Sequence, residues 1–209
     1  MTIVERCKQL VKDIYDQFDA SHDWQHIERV MQNANTILKT EPSANVEIVE
    51  LSVLLHDVSD SKYTDSKENE HRILQLLDLS KQKQQIIREI IASVSYNGGN
   101  QLETKSIEAQ IVRDADRLDA IGAVGIARTF AYGGAKGRKL YDDQEEARYN
   151  MSVEDYRKKQ TASVTHFYEK LLLLKDLMTT AKGKQMAKER HEFMVCFLKQ
   201  LKNERDGEL

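Results

Sequence analysis

Leu54-Leu55-His56-Asp57-Val58-Ser59-Asp60 places a histidine and an aspartate side by side at the end of an apolar run. The apolar residues around this pair recur at helical spacing, which predicts a buried core helix over residues 45–59. A His-Asp pair in a core needs a partner, because burying an unpaired charge is costly. That partner is either a metal ion or the hydrogen bonds of a structural histidine beside a capping aspartate. The dipeptide alone favours the second interpretation, since short motifs often match by chance.

Two further stretches of sequence favour a metal ion over a structural histidine. His22-Asp23-Trp24-Gln25-His26-Ile27-Glu28-Arg29-Val30 lies upstream, and Val112-Arg113-Asp114-Ala115-Asp116-Arg117-Leu118-Asp119 lies downstream. The order is therefore His, then His-Asp, then Asp, each on a separate predicted helix. Imidazole and carboxylate are ligands that suit divalent first-row metals.

The three strings resemble the HD-domain metal-dependent phosphohydrolase superfamily, whose motif order is H…HD…D. His26, His56, Asp57 and Asp116 match its four positions. The longer strings HDWxHIxRV, LLHDxxD and DADRLDAIGAxGIARTF are more specific than the four residues alone. They are similar to a small bacterial branch of stand-alone HD proteins, and the likeness runs through nearly the whole chain. The resemblance implies that the four residues hold a metal ion.

Two histidines and two aspartates form a suitable ligand set for such an ion. The two negative charges neutralise a divalent cation, and four protein ligands on an octahedral ion leave positions for water and a phosphate oxygen. The resemblance implies manganese, while iron, cobalt, nickel, magnesium and zinc are also compatible with mixed nitrogen and oxygen ligands. One ion is expected, because the spare histidine nearby, His71, lies in a polar stretch typical of the surface.

Asp60 is the candidate catalytic residue. It lies three residues after Asp57, so on a continuing helix it would share a side with Asp57, one turn on. A carboxylate there can accept a proton from the attacking water. Related HD phosphohydrolases carry an acidic residue at this position, usually glutamate. The alternative is a residue at the helix end that faces solvent. Asp23 and Asp119 are expected to orient the ligands.

Substrate contacts are predicted from charge and from a late string of the family. A phosphate needs positive groups, and several arginines and lysines lie near the motifs or after the metal helix. Each of these residues taken alone is more often a surface residue. The candidates are Arg29, Lys62, Arg128, Lys136 and Arg138, with Lys139 beside them, and Tyr168 and Lys170 by resemblance.

Composition limits the class of protein. The chain has 209 residues, which fits one domain over residues 1–209, with a mobile glycine-rich loop expected near 133–150. The net charge of −3 argues against a groove for nucleic acid. No apolar run approaches the ~20 residues of a membrane span, and the N-terminal residues lack the apolar core of a signal peptide. Cys7 and Cys196 are expected to be reduced core residues of a cytoplasmic protein. The oligomeric state stays open, a homodimer included.

The apolar periodicity predicts an all-α, single-domain bundle of seven to nine helices. Three of the predicted helices lie in the second half of the chain. One runs over about 106–132 and carries the second aspartate motif. Another runs from Ser152 to about Met178 and begins with a capping box that pairs Ser152 with Asp155. The last spans about 184–203 and is expected to bury Met186, Phe193, Phe197 and Leu201.

The function expected from the resemblance is hydrolysis of a nucleotide. The basic residues after the metal helix favour a nucleoside triphosphate that is cut to monophosphate and pyrophosphate. Removal of phosphate from a nucleoside 5'-monophosphate is the alternative within the same chemistry. A non-catalytic nucleotide-sensing module is the alternative from another class, and the intact set of four ligands together with Asp60 argues against it.

Overall fold

A computed structural model describes residues 1–19, 22–59, 68–94, 102–149, 151–152, 154 and 161–208. Within these ranges the chain forms nine α-helices and one 3-10 helix and contains no strand, which confirms the predicted all-α fold. The α-helices are α1 Ile3–Tyr15, α2 Trp24–Leu38, α3 Val46–Leu55, α4 Glu68–Leu76, α5 Lys81–Val94, α6 Ile107–Asp119, α7 Gly122–Ala135, α8 Ser163–Glu169 and α9 Ala181–Asp206. The 3-10 helix spans Leu171–Leu177.

The described residues fall into two compact units, one holding α1 to α5 and α6 as far as Asp116, the other beginning at Arg117. The predicted organisation as one domain stays a prediction. In the first unit α3 packs against α1, α2 and α5, and α4 packs against α1. Seven of the ten residues of α3 are apolar and most of its residues are buried, as predicted for a core helix. The predicted end at residue 59 is wrong, because α3 ends at Leu55 and His56 and Asp57 follow it. The buried residues of α3 are Ile48, Val49, Leu51, Ser52, Val53, Leu54 and Leu55.

Capping side chains set where the helices of the first unit begin. Asp23 precedes α2, and its carboxylate accepts the backbone N–H of His26 at 3.0 Å. Asn45 precedes α3 in the same way and accepts the N–H of Ile48 at 3.2 Å. Such caps satisfy backbone donors that have no partner within the helix. The cap of α2 places His26 in the first turn of that helix, while His56 directly follows the last residue of α3.

The second unit is built on contacts of α7 with α8 and α9, and the 3-10 helix packs against both α8 and α9. Three aromatic rings meet in this unit, that of the buried Phe167 and those of the half-buried Phe130 and Phe197. Their centroids lie 5.9 to 6.2 Å apart, within the range of favourable ring contacts. Among the described residues, every helix is too short or too polar to span a lipid bilayer.

The predicted helix over 106–132 is wrong, because the chain forms two helices there. α6 ends at Asp119 and α7 begins at Gly122, where the backbone adopts φ +77°. This left-handed conformation suits glycine, which has no Cβ to clash. The apolar pattern continues across the break, so periodicity alone predicts one helix. The break between the two helices coincides with the left-handed backbone of one residue, Gly122.

The two later helices also differ from prediction. α8 begins only at Ser163 and becomes a 3-10 helix after Glu169, while Asp155 of the expected capping box lies outside the described residues. α9 is longer than predicted and turns a neighbouring face inward. Phe193 is 54% exposed, and the residues of α9 that are buried are Gly183, Ala187, Met194 and Leu198. Small Gly183 and Ala187 allow close packing, which a search for large apolar residues overlooks.

The two cysteines, the start of α5 and three connecting segments can also be compared with the sequence. Cys7 is buried, as expected, but Cys196 is exposed, so its assignment to the core is wrong. Ser80, a residue type that favours helix starts, caps α5, since its hydroxyl accepts the N–H of Lys83 at 3.3 Å. Residues 60–66, which their polar sequence predicts to be a loop, and residues 96–100, whose Asn-Gly-Gly sequence predicts a turn, lie outside the described residues. α7 extends to Ala135, into the start of the segment expected to be mobile, whose mobility stays a prediction.

Gly125→Ala is expected to destabilise the protein. A Cβ at Gly125 would overlap the carbonyl group of Ala120, which belongs to the backbone and cannot easily move away. Such overpacking costs about 1–3 kcal/mol of unfolding free energy. Gly134→Ala in the same helix is the control, because a Cβ there meets nothing within 4 Å. Alanine's higher helix propensity should then add up to about 1 kcal/mol of stability. Chemical denaturation of both variants measures the difference, and equal stability would contradict the packing argument.

Candidate metal centre

Four side chains from α2, the end of α3 and α6 meet in the first unit. The Nε2 atom of His26 lies 3.5 Å from Oδ2 of Asp57 and 3.6 Å from Oδ1 of Asp116. The Nε2 atom of His56 lies 3.3 Å from Oδ2 of Asp57 and 3.7 Å from Oδ1 of Asp116. The two imidazole rings are 5.5 Å apart between centroids. The structure therefore brings together the four residues that the sequence singled out.

The orientation of the His56 ring is set by the backbone of α3. Its Nδ1 atom lies 2.8 Å from the carbonyl oxygen of Val53. A carbonyl oxygen only accepts, so Nδ1 carries the proton in this contact. The Nε2 atom points toward the carboxylates of Asp57 and Asp116. This is the arrangement found for histidines that bind metals, in which the second nitrogen fixes the tautomer and the ring orientation. The two carboxylates favour a proton on the ring, and Nε2 can bind a metal ion only when it has given up that proton.

The spacing of the four atoms suits a single ion. Ligand atoms ~2.1 Å from one ion lie about 3.0 Å apart at right angles and about 3.4 Å apart at tetrahedral angles. The four nitrogen-to-oxygen distances, 3.3 to 3.7 Å, are close to these values. His26, His56 and Asp57 offer ligand atoms that all lie within 4.8 Å of one another, whereas Asp116 does not belong to this group and is close only to the two imidazole nitrogens. The residues present thus fit a divalent metal ion.

Charge in the cluster favours a cation. Burial by itself would raise the pKa of Asp57, but His56 and His26 outweigh it and hold that pKa well below its usual range. The pKa of Asp116 is lowered in the same way, against burial, mainly by His56. Burial would lower the pKa of His56, yet the Asp57 and Asp116 carboxylates raise it well above 6.5. Both carboxylates therefore stay ionised at neutral pH.

Burial differs across the cluster. The side chains of His26 and His56 are 0% and 1% exposed, whereas those of Asp57 and Asp116 are 14% and 28% exposed. The imidazoles thus form the inner side of the site and the carboxylates its solvent-facing side.

Comparison with known proteins identifies the family. A family profile described as "HD domain" matches residues 23–121, the segment that contains all four clustered residues. The chain is 37% identical to the protein YpgQ of Bacillus subtilis over 209 residues, covering 97% of this chain and 94% of that protein. The chain belongs to the HD-domain superfamily of hydrolases. His56 and Asp57 are the adjacent histidine and aspartate of its HD motif.

Three solved structures resemble this chain over nearly its whole length. A protein from Lactobacillus plantarum has a TM-score of 0.89 at 32% identity, with 99% of each chain covered. An HD-superfamily hydrolase from Bacillus thuringiensis has a TM-score of 0.73 at 39% identity, covering 97% of this chain and 96% of that one. Bacillus subtilis YpgQ in complex with ADP has a TM-score of 0.75 at 35% identity, covering 96% of this chain and 97% of that one.

The other acidic residues near the HD motif have different positions. Asp23 was expected to orient His26, and the contact that the structure gives is to the backbone N–H of His26. Asp119 was expected beside the ligands. It is almost fully buried and pairs with Arg128 at 2.9 Å in the second unit. Asp60, the candidate catalytic residue, lies outside the described residues. Its role stays a prediction.

The predicted substrate contacts fall in different parts of the chain. Arg29 is half-buried on α2, one turn after His26, and Lys62 lies outside the described residues. The remaining candidates belong to the second unit. Lys136 and Arg138 lie over the ring of Tyr132, 5.7 and 5.1 Å from its centroid.

Three more residues of the second unit complete the candidates. Lys139 is exposed and pairs with Asp142 at 2.7 Å. Tyr168 is 43% exposed and lines a cavity of about 250 Å³ together with Arg205. Lys170 is half-buried at the end of α8. The role of every candidate contact stays a prediction.

His71 was expected to be a surface residue rather than a ligand of a second metal. It is exposed on α4, and its two ring nitrogens lie 2.9 Å from Arg88 Nη2 and 2.8 Å from Gln75 Nε2. Both nitrogens thus already have neighbours of their own on α4 and α5. This position agrees with the expectation of one ion, and the number of ions itself stays a prediction.

Three residues beside the HD motif were not recognised in the sequence. The side-chain amide of Asn33 donates to the carbonyl oxygen of Ala115 at 3.1 Å, next to Asp116. The ring of His22 lies 5.6 Å from that of His26 and helps to lower the pKa of Asp57. The hydroxyl of Tyr15 contacts the backbone of the HD motif itself. One signal was available for Tyr15, because it follows Val11 by four residues on the apolar face of α1, and a buried phenol needs a hydrogen-bond partner.

Proposed function

We propose that the chain is a divalent-metal-dependent phosphohydrolase that cuts a nucleoside triphosphate to a monophosphate and pyrophosphate. The observation that carries this proposal is the cluster of His26, His56, Asp57 and Asp116. Two imidazole nitrogens and two ionised carboxylates lie at the mutual spacing of ligands on one ion. Manganese is the proposed ion.

The residues of the site have different chemical roles. When bound, a divalent ion neutralises charge on a phosphate and makes a coordinated water more acidic. The Val53 carbonyl holds the His56 ring so that Nε2 faces the site. The carboxylates of Asp57 and Asp116 supply the two negative charges that balance the ion. We assign Asp60 the role of accepting a proton from the attacking water, in line with the general-base chemistry of carboxylates.

A nucleotide substrate is supported by a relative. Bacillus subtilis YpgQ, 35% identical to this chain, was crystallised in complex with ADP. ADP shares its base, ribose and phosphoanhydride with nucleoside triphosphates. We infer that this chain also takes a nucleotide, with cationic side chains near the phosphates.

Removal of three positive charges from the segment after α7 is expected to weaken triphosphate binding. Changing Lys136, Arg138 and Lys139 together to alanine should raise KM for a triphosphate more than KM for a simple phosphate ester, because a triphosphate carries more charge. The control removes three exposed lysines of α9, Lys184, Lys188 and Lys199, and so matches the change in net charge. Steady-state kinetics of both variants decide the point. Equal KM changes for the two substrates would mean that the segment is ordinary surface.

The test of the function itself is a panel of nucleotides. Manganese-loaded protein is incubated with ribo- and deoxyribonucleoside mono-, di- and triphosphates, and phosphate and pyrophosphate are measured separately. We expect pyrophosphate and nucleoside monophosphate in equal amounts from a triphosphate. Phosphate released from monophosphates would instead assign a nucleotidase. Nucleotide binding without any product would assign a sensing module.

A further inference from the structure

The HD motif lies where α3 loses its helical hydrogen bonding. α3 ends at Leu55, and the last carbonyl groups of any helix have no partner within it. If the helix continued, the N–H of Asp57 would donate to the carbonyl oxygen of Val53. That oxygen instead contacts His56 Nδ1 at 2.8 Å. The backbone of the HD motif therefore needs other partners in this turn.

Tyr15, the last residue of α1, supplies them. Its hydroxyl donates to the carbonyl oxygen of Leu54 at 3.0 Å and accepts the N–H of Asp57 at 3.3 Å. One phenol oxygen thus bridges the residues on either side of Leu55 and His56. Both contacts are hydrogen bonds between residues far apart in the sequence, so they depend on the packing of α1 against α3.

The position of the Tyr15 hydroxyl is itself closely defined. Tyr15 is 0% exposed. Its ring meets Phe18 edge to face, 5.5 Å between centroids, and lies 6.4 Å from the ring of Trp24. A ring held on several sides in a packed core has little freedom to move. The hydroxyl is therefore a fixed point against which the turn is held.

We propose that Tyr15 is a positioning residue for the metal centre. On a regular helix, adjacent side chains point ~100° apart, which separates neighbouring ligands. The Tyr15 bridge holds the Asp57 N–H out of the helical pairing with Val53, while the Val53 carbonyl orients the His56 ring. Through this exchange of partners, His56 and Asp57 both face the same point. The inference rests on the proposed function, because the site it serves is the proposed metal site.

Tyr15→Phe tests the proposal, since phenylalanine keeps the buried ring and removes only the bridging oxygen. The Asp57 N–H can then compete with His56 for the Val53 carbonyl. We expect Mn²⁺ affinity, measured by titration calorimetry, to fall about 10–100-fold, the usual effect of losing a group that orients a ligand. Tyr149→Phe is the matched control, because Tyr149 is 63% exposed, and it should bind Mn²⁺ like the wild type. Circular dichroism and thermal unfolding verify that both variants are folded.

A second measurement needs no metal. Amide hydrogen exchange at Asp57, followed by NMR in metal-free protein, should be faster in Tyr15→Phe than in wild type or Tyr149→Phe. A lower thermal midpoint with unchanged Mn²⁺ affinity would make Tyr15 a structural residue only and overturn the proposal. Unchanged exchange at Asp57 would also overturn it. Absence of Mn²⁺ binding in the wild type would instead contradict the proposed function, and the exchange rate would still decide whether Tyr15 holds the turn.

Discussion

Asp57→Ala is expected to bind Mn²⁺ far more weakly than the wild type and to lose phosphohydrolase activity. Asp57 Oδ2 lies within 3.5 Å of both imidazole nitrogens, closer than Asp116 Oδ1 lies to either. Its removal takes away one ligand and half of the negative charge of the cluster. Losing a group that only orients a ligand costs about 10–100-fold in metal affinity. The loss of a ligand itself should exceed this range.

Metal analysis after dialysis against trace Mn²⁺, with turnover measured on the same preparation, examines this prediction. Asp13→Ala is the control, because Asp13 is an exposed aspartate of α1 in the same unit. It should keep about one ion per chain and full activity. Circular dichroism verifies that Asp57→Ala is folded. This check is needed because the substitution leaves the buried His56 with one neighbouring carboxylate, that of Asp116. A full complement of Mn²⁺ in Asp57→Ala would show that the ligand assignment is wrong.

Asp60→Asn is expected to lower kcat by roughly 10²–10⁴, the usual effect of losing a general base. The amide has nearly the shape of the carboxylate but cannot take up a proton. KM should change little, because the lost interaction belongs to the transition state. The prediction comes from the sequence, since Asp60 lies outside the described residues.

Metal stoichiometry and kcat of Asp60→Asn together separate three roles. A general base gives full metal content with a low kcat. A metal ligand gives a joint loss of metal and rate. A residue that merely follows the helix end leaves both unchanged, and wild-type turnover would refute the proposed catalytic role. Ser59→Ala, one position away, is the comparison for general disturbance of the segment, because the Ser59 hydroxyl accepts the N–H of Glu70 at 3.1 Å and so affects structure rather than proton transfer.

Much of the fold was predictable because the signals involved are local. Seven of the ten residues of α3 are apolar, so its place in the core follows from its composition. Asp23 and Asn45 are good capping residues next to such patterns, and both do cap helices. The four candidate ligands were found through motif order and family resemblance. Their short mutual distances agree with that prediction, while their role as ligands is still to be measured.

Other features depend on contacts that no local pattern contains. The break between α6 and α7 follows from the positive φ of Gly122 within an uninterrupted apolar pattern. The buried face of α9 is set by Ala187 and Met194 rather than by Phe193. Asp119 of α6 forms an ion pair with Arg128 of α7. Each of these outcomes reflects which surfaces pack together, and periodicity describes only one helix at a time.

The HD motif contains both kinds of feature, those predictable from local sequence and those that depend on long-range packing. Residue types and their order along the chain were enough to predict which side chains gather and that their chemistry suits a cation. The direction in which His56 and Asp57 point is settled by two backbone contacts, one with the Val53 carbonyl and one with the hydroxyl of Tyr15. Tyr15 lies 42 residues before Asp57 in the chain. A hydrogen bond over that separation forms only once α1 has packed on α3, so it is a property of the folded chain.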